Sequence, residues 1–468
     1  MKELSIADIK GIKTLEDALV VIEELVRLNR QLFEENQKLR KEIDKLKKQA
    51  KPPHFTSKTV TNHAASKIAN KRNKGQKKWT KTAKKNKIEI DQEVELAGIE
   101  ICTCGCDQFT ILRSREKIVQ DIQIRRNNTK YFGVDKRCNN CDEIYHMPIP
   151  QDIEGQEFGS ELRTWVSMWK FHNRQTEPLI HSMLTSMGIR ISTGQISKII
   201  IDNSRKLIPS YSHLRVWGIK LSKYIHTDAT GSKRFMRKSQ KVVHQHLQFV
   251  GHHLLSLFKI TRKYNSIQLA FKVLGKRGMS KAMISDDHSA NGKKLPVKIK
   301  QLCWLHEIRH YLKLLPVIAK NRQWLEKILD DFWKLYDLAK QYKKQPSIGK
   351  RLEIMEKYYQ MTGYKTEYPE LDKRLKLTRK KSKRMLAFLS HPYLPIENNL
   401  AERDLRPAVI MRKISGMTRS EIGDRSFERH LSVIQTAKKQ NLDIFQTLHG
   451  LLNGQLSPFV LTAKTITL

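Results

Sequence analysis

The stretch that most restricts the fold lies between Trp217 and Trp304, where the chain reads KYIHTD, HQHLQFVG and LLSLFKITR, then SIQLAFKVLG, then KAMISDD and IKQLCW. SIQLAFKVLG has the periodicity of a helix, and the other stretches have the length and residue types of strands. Three strands, a helix and a fourth strand open a mixed α/β sheet. IKQLCW supplies a further strand leading into a helix at LHEIRHYLKLL. Two acids, Asp228 and Asp286, stand at the ends of the first and fourth strands.

This order is that of a ribonuclease-H-like sheet, in which the first and fourth strands are neighbours, so Asp228 and Asp286 are expected to converge. Two carboxylates a few ångström apart repel, and a divalent cation relieves the repulsion. A third acid must come from a helix packed over the sheet, and ENNLAERDLR, between Pro395 and Pro407, offers candidates. Asn398, Glu402 and Arg406 share one helical face while Glu397 points away, so Glu402 is the first choice, Glu397 the second and Asp404 the third. Three such acids suit phosphodiester chemistry, because two magnesium or manganese ions roughly 3.5–4 Å apart can activate an attacking oxygen and stabilise the leaving one. Each acid also has an ordinary reading. Asp228 can form a turn beside Gly231, Asp286 and Asp287 can start a turn towards Asn291–Gly292, and Glu402 can pair on the surface with Arg406. Spacing alone favours that ordinary reading of Glu402.

The remainder of the chain is rich in cations. Lys and Arg number 88 against 47 Asp and Glu, a formal charge of +41 over 468 residues, which points to nucleic acid as partner. An anionic membrane would accept such charge, but no apolar run approaches the roughly 18 residues of a spanning helix and MKELSIADIK does not resemble a signal peptide. The expectation is a soluble, cytoplasmic protein of two or three domains, nucleoid-associated if bacterial, with no membrane partner.

Heptads open the chain. With a at Leu15, Ile22, Asn29, Asn36 and Ile43, the d positions are Ala18, Leu25, Leu32, Leu39 and Leu46. Residues 1–49 are therefore expected to form a coiled-coil dimerisation helix, parallel and in register because of the two a-position asparagines. Val21, Val26, Leu28 and Phe33 widen the apolar face, as in a lone helix packed on its own body. Residues 50–90 read as a disordered basic arm: from Lys45 to Ile88 there are 15 Lys or Arg, no acid, and the aromatics Phe55 and Trp79. Such a segment lies along phosphates or serves as a solvated linker. Residues 91–152 read as a small zinc-ribbon-like, DNA-binding domain, with CTCGC, the alternating run KIVQDIQI and CNNC. One structural zinc would take four of Cys102, Cys104, Cys106, Cys138 and Cys141, while Cys303 stands alone.

Residues 153–216 read as helices. EPLIHSMLTSMGIRISTGQISKIII gives a helix, a turn at Gly188 and a second helix capped by Ser192 or Thr193, the outline of a helix-turn-helix that suits DNA reading or plain packing equally. The sheet domain then begins over 217–315, a basic α-helical insertion over 316–390 interrupts it, a catalytic helix over 391–415 completes it, and 416–468 form a helical C-terminal region.

The zipper, the cysteine knuckle, HTDATG, ISDDHSANG, CWLHEIRH and above all IENNLAERDLRPAVIMRKISG together resemble the insertion sequence 66 family of bacterial transposases, over nearly the whole chain and in the family's order. The resemblance implies an Asp-Asp-Glu transposase on a ribonuclease-H-like core, with Asp228, Asp286 and Glu402 carrying its dependence on two Mg2+ or Mn2+ ions per site. This chain departs from the family at Ala229, where members often have Glu, at C-x-C-G-C in place of C-x-x-C-G, and at Asp287-His288 in place of an aromatic. The activity expected is cleavage at transposon ends and transfer of the exposed 3′-hydroxyl into target DNA. The partners expected are double-stranded DNA, as terminal inverted repeats and target, and further copies of the chain in a homodimer or higher oligomer. His306, Arg309, Arg406, Arg412, Lys413 and Trp79 are the candidate DNA contacts. A zinc-dependent DNA-binding regulator derived from an inactive transposase and a structure-specific nuclease are the alternatives.

Overall fold

A computed structural model gives the fold, and describes residues 14–49, 90–96, 98, 100–101, 103–110, 113–122, 126–150, 154–219, 222–236, 239–262, 279–287, 297–458 and 460–461. The basic arm up to residue 89 with Trp79, the stretch SIQLAFKVLG, Cys102 and the turn at Asn291–Gly292 lie outside the described residues. Two compact units divide the chain, His54–Asn128 and the remainder.

In the smaller unit the expected strand KIVQDIQI is not formed over its described residues 117–122, and Ile118, Val119 and Ile122 are exposed. An alternating run stays a strand only where a neighbour takes its backbone groups and covers one face, and these residues have neither.

The larger unit starts with α1, Leu15–Gln49. Leu25, Leu32 and Leu39 of its heptad seam are about half exposed, as are Val26 and Phe33. A short antiparallel hairpin follows, β1 (Lys136–Arg137) with β2 (Ile144–Tyr145), and its turn carries Cys138 and Cys141 ahead of a left-handed Asp142 (φ 60°).

Helices α2 (Ser160–Phe171), α3 (Glu177–Ser186), α4 (Thr193–Lys206) and α5 (Ile208–His213), then a π-helical turn at Leu214–Gly218, lead to the sheet. Ser192 caps α4 in a reciprocal capping box with Gln195, and Gly188 provides the left-handed turn (φ 78°) before it. The apolar face of α4, Ile196, Ile199 and Ile200, is buried in one cluster with Val250 and Leu257 of the sheet. These helices therefore share the core of the sheet.

The sheet has five strands in the order β5-β4-β3-β6-β7: β3 (Tyr224–Met236), β4 (Lys241–His252), β5 (Leu255–Thr261), β6 (Met279–Ser285) and β7 (Val297–Leu302). β3, β4 and β5 are antiparallel, whereas β6 and β7 run parallel to β3. The expectation that Asp228 ends a short strand is corrected, because β3 continues through Gly231 to Met236, held by β4 along that whole length. What does end near Asp228 is the pairing with β6, which covers only Tyr224–His226.

After β7 come α6 (Trp304–Tyr311), α7 (Ala319–Lys344), α8 (Ile348–Thr362), α9 (Pro369–Lys380) and α10 (Ser382–Met385). Trp304 is the hub of this helical insertion. Its fully buried ring meets Phe332 at 5.5 Å and Phe388 at 5.8 Å between centroids, and its indole N–H donates to the Met385 carbonyl at 2.9 Å. The chain returns to the sheet as α11 (Asn399–Ser415), then α12 (Glu421–Lys439) and α13 (Ile444–Leu452). Helix α11 runs through Pro407 to Ser415. Proline deprives the Arg403 carbonyl of its donor, and Arg403 lies on the exposed side, where water can serve instead.

Helix α12 covers the edge strand β5 in a specific way. Thr436 Oγ1, Ser432 Oγ and Glu428 Oε1, one helical turn apart, accept the backbone N–H groups of Ser256, Phe258 and Ile260 at 3.1, 2.9 and 2.7 Å. The unpaired donors of a sheet edge are thereby satisfied and shielded from a foreign strand.

Candidate active site

Three elements meet at one end of the parallel strand pair. His226 of β3 pairs with Ile284 of β6, and carrying that register two residues further sets Asp228 opposite Asp286, the first residue beyond β6. Helix α11 is fastened to the same place by Asn398, a fully buried residue. Its Oδ1 meets His226 Nδ1 at 2.9 Å, its Nδ2 donates to the Thr227 carbonyl at 3.0 Å, and its backbone N–H donates to the Cys303 sulfur at 3.2 Å. The Cys303 N–H in turn donates to the Ser285 carbonyl at 2.9 Å. Asn398 and Cys303 thus tie the helix of Glu402 to the strands of both aspartates, a role that sequence reasoning missed. The only signal for it was a polar residue next to the helix start in ENNLAER.

Glu402, on the first turn of α11, receives Arg309 of α6 through both nitrogens of the guanidinium, at 2.7 and 3.4 Å, and lies 3.4 Å from His306 Nε2. The surface pair with Arg406 is not what holds it; Arg406 adds only its charge. The fields of the three acids overlap. Burial, followed by the charges of Asp286 and Glu402, pushes the Asp228 carboxyl up to about 7, against the Ala229 N–H on Oδ1 (2.8 Å) and the more distant Arg309. Burial also opposes charge on Glu402, yet the hydrogen bond and charge of Arg309, with His306 and Arg406, hold it below the usual carboxylate range. Burial and then Arg309 keep the His306 imidazole below its ordinary value.

The two rival third acids are engaged elsewhere. Glu397 accepts from the Tyr336 hydroxyl and the Asn399 amide, and Asp404 is buried against Lys439 and Ser256. Of the candidate DNA contacts, His306 and Arg309 face Glu402, Arg406 and Lys413 are exposed, and the Arg412 guanidinium donates to Thr230 Oγ1 at 3.2 Å and to the Gly231 carbonyl.

The donor set of Asp228, Asp286 and Glu402 is one of hard oxygens, and burial together with the neighbouring charges holds the Asp228 proton up to about 7, which fits a divalent cation. Among the described residues, the group of three potential ligands whose donor atoms all lie within 4.8 Å of one another is instead Asp287, Glu307 and His310. That group is already neutralised: Lys381 pairs with Asp287 and, at 3.2 Å, with Glu307, and Arg374 pairs with Glu307. Two cations for two carboxylates leave little attraction for a metal. Asp228, Asp286 and Glu402 do not form such a group, so their donor atoms do not all lie within 4.8 Å of one another.

Of the cysteines, Cys104 and Cys106 fall in the smaller unit and Cys138 and Cys141 in the larger. Backbone N–H groups of Cys141 and Asn140 hold the Cys138 thiol below its ordinary value.

No described helix is long and apolar enough to cross a membrane. Residues 155–426 match the model of the Transposase IS66 family, more than half of the chain, and the protein belongs to that family. It is also similar to the uncharacterized protein y4jO of Sinorhizobium fredii, 31% identical over 147 residues, a match that spans 31% of this chain and 46% of that relative.

Proposed function

We propose that the protein is a DNA transposase whose phosphodiester chemistry is carried by Asp228, Asp286 and Glu402 on a ribonuclease-H-like core. The observation that carries this reading is the convergence just described: a parallel register that sets Asp228 opposite Asp286, with Glu402 fastened above it and both charges felt at Asp228. Divalent ions, when bound, supply the positive charge that activates an attacking oxygen and stabilises a leaving one. Asp228, once deprotonated, would hold such ions together with Asp286 and Glu402, and Arg309, paired with Glu402 in their absence, would be at hand for a DNA phosphate. Water first hydrolyses a phosphodiester at the transposon end, and the 3′-hydroxyl so exposed then attacks a target phosphodiester, joining its 5′-phosphate and releasing the target's own 3′-oxygen as a 3′-hydroxyl.

In the same reading the heptad seam of α1 pairs two copies of the chain, because Leu25, Leu32 and Leu39 form an apolar stripe that a second helix would cover. Cys138 and Cys141, on the turn of the β1–β2 hairpin, would offer two thiolates to a structural zinc. The test is nicking of DNA bearing the element's own inverted ends in Mg2+ or Mn2+. The wild type should nick, and Asp228→Asn and Glu402→Gln should fall by at least about 100-fold while still binding DNA. Undiminished nicking by either variant would dismiss the site; binding without nicking by the wild type would favour a regulator.

A further inference from the structure

The run KRLKLTRKKSKRM sends its cations to two sides. Arg374 and Lys381 turn inward to Glu307 and Asp287, next to the candidate site. Lys373, Lys376 and Lys380 lie on the opposite flank of α9, at the three- and four-residue spacing that lines up side chains on a helix, and Lys383 follows on α10. All four are exposed.

Among the described residues none of the four has an acidic partner, although exposed lysines elsewhere in the insertion do. Lys320 pairs with Glu367 at 2.7 Å, Lys334 with Asp330 at 2.6 Å and Lys357 with Glu353 at 2.6 Å. The acids of α9 sit in its first turn, at Glu370 and Asp372, and Asp372 is taken by Thr366. Positive charge is also crowded alongside, where Lys300 of the edge strand β7 lies within reach of Arg384 on α10; burial and then that like charge lower the Lys300 amine.

We propose that the outer flank of α9 and α10 is a phosphate track that holds double-stranded DNA away from the scissile bond. From Lys373 to Lys380 α9 rises about 10 Å, a length over which one strand of B-DNA presents about three phosphates, and Lys383 on α10 extends the run. The track lies across the helix from the Asp287–Glu307 cluster, so the DNA it holds passes roughly one helix diameter, about 10 Å, from those acids. It serves to retain flanking or target duplex while the reacting strand occupies the carboxylate site. This rests on the proposed reading that the chain acts on DNA.

The experiment measures the affinity of the full-length protein for a 30-base-pair duplex without transposon ends, in EDTA, as a function of salt. Each phosphate neutralised contributes about 0.9 to the slope of log K against log salt. A variant with Lys373→Gln, Lys376→Gln, Lys380→Gln and Lys383→Gln should lose about 3 to 4 from that slope. A control with Lys320→Gln, Lys334→Gln and Lys357→Gln should lose less than about 1, and both should melt and nick a short end substrate as the wild type does. An unchanged slope in the fourfold variant, or an equal loss in the control, overturns the track and makes the flank a solvated face. Loss of binding to anionic vesicles with the DNA slope intact overturns it in favour of a membrane contact. A wild type that does not bind duplex at all fails the underlying DNA reading instead.

Discussion

Asp228 is where burial and like charge oppose each other most clearly. Its carboxyl is raised from an ordinary 3.8 to about 7, so the folded protein holds that proton more tightly than the unfolded chain does. The associated stability is present in full below about pH 4 and is lost as pH rises to about 7. In EDTA the stability of the wild type relative to Asp228→Asn should therefore fall by of order 4 kcal/mol between pH 4 and pH 7.5. Adding Mg2+ at pH 7.5 should restore part of it in the wild type alone. Urea unfolding across that range checks this, and a flat difference would mean that Asp228 ionises like a surface acid. Asn398 is the second decisive residue, with two buried side-chain hydrogen bonds to the strand of Asp228. Asn398→Ala leaves both partners unmatched and should cost about 2–4 kcal/mol in the same assay, with nicking reduced even where the protein stays folded.

At the scale of elements, the insertion is locked to the site by ions as well as by the Trp304 hub. Lys381 lies between Asp287, adjacent to Asp286, and Glu307, which is only 1% exposed. Lys381→Met removes one cation from a buried cluster and should destabilise the protein by about 3 kcal/mol, whereas Lys381→Arg should recover most of it. Equal stability of the Met variant in chemical unfolding would show that Arg374 alone suffices. The elements themselves were largely legible: HQHLQFVG and LLSLFKITR are strands, as their length and residue types indicate, and CWLHEIRH opens a helix, whose one-sided burial leaves its period in the sequence. What the period does not encode is tertiary pairing. The extension of β3 past Gly231 depends on β4 pairing along it, the continuation of α11 through Pro407 depends on which side of the helix faces water, and the capping of β5 depends on Glu428, Ser432 and Thr436, which look like ordinary polar helix residues.

At the scale of the whole molecule, the three acids come from β3, the end of β6 and α11, and the helical insertion stands between the second and the third in sequence. Only the complete fold brings them together, so their joint behaviour reports on all of it. The aspartates could be found from strand order, but the fastening of Glu402 by Asn398, and its pairing with Arg309, could not, because a short motif does not say which strand its helix packs on. Cation binding at this assembled centre is the most direct measurement. Electron paramagnetic resonance of Mn2+ added to the full-length protein, with wild type compared to Asp228→Asn and Glu402→Gln, would count the ions and detect their magnetic coupling. The account predicts two coupled Mn2+ ions in the wild type, with the coupled signal lost in both variants; the same coupled signal in Asp228→Asn, or none in the wild type, would contradict it.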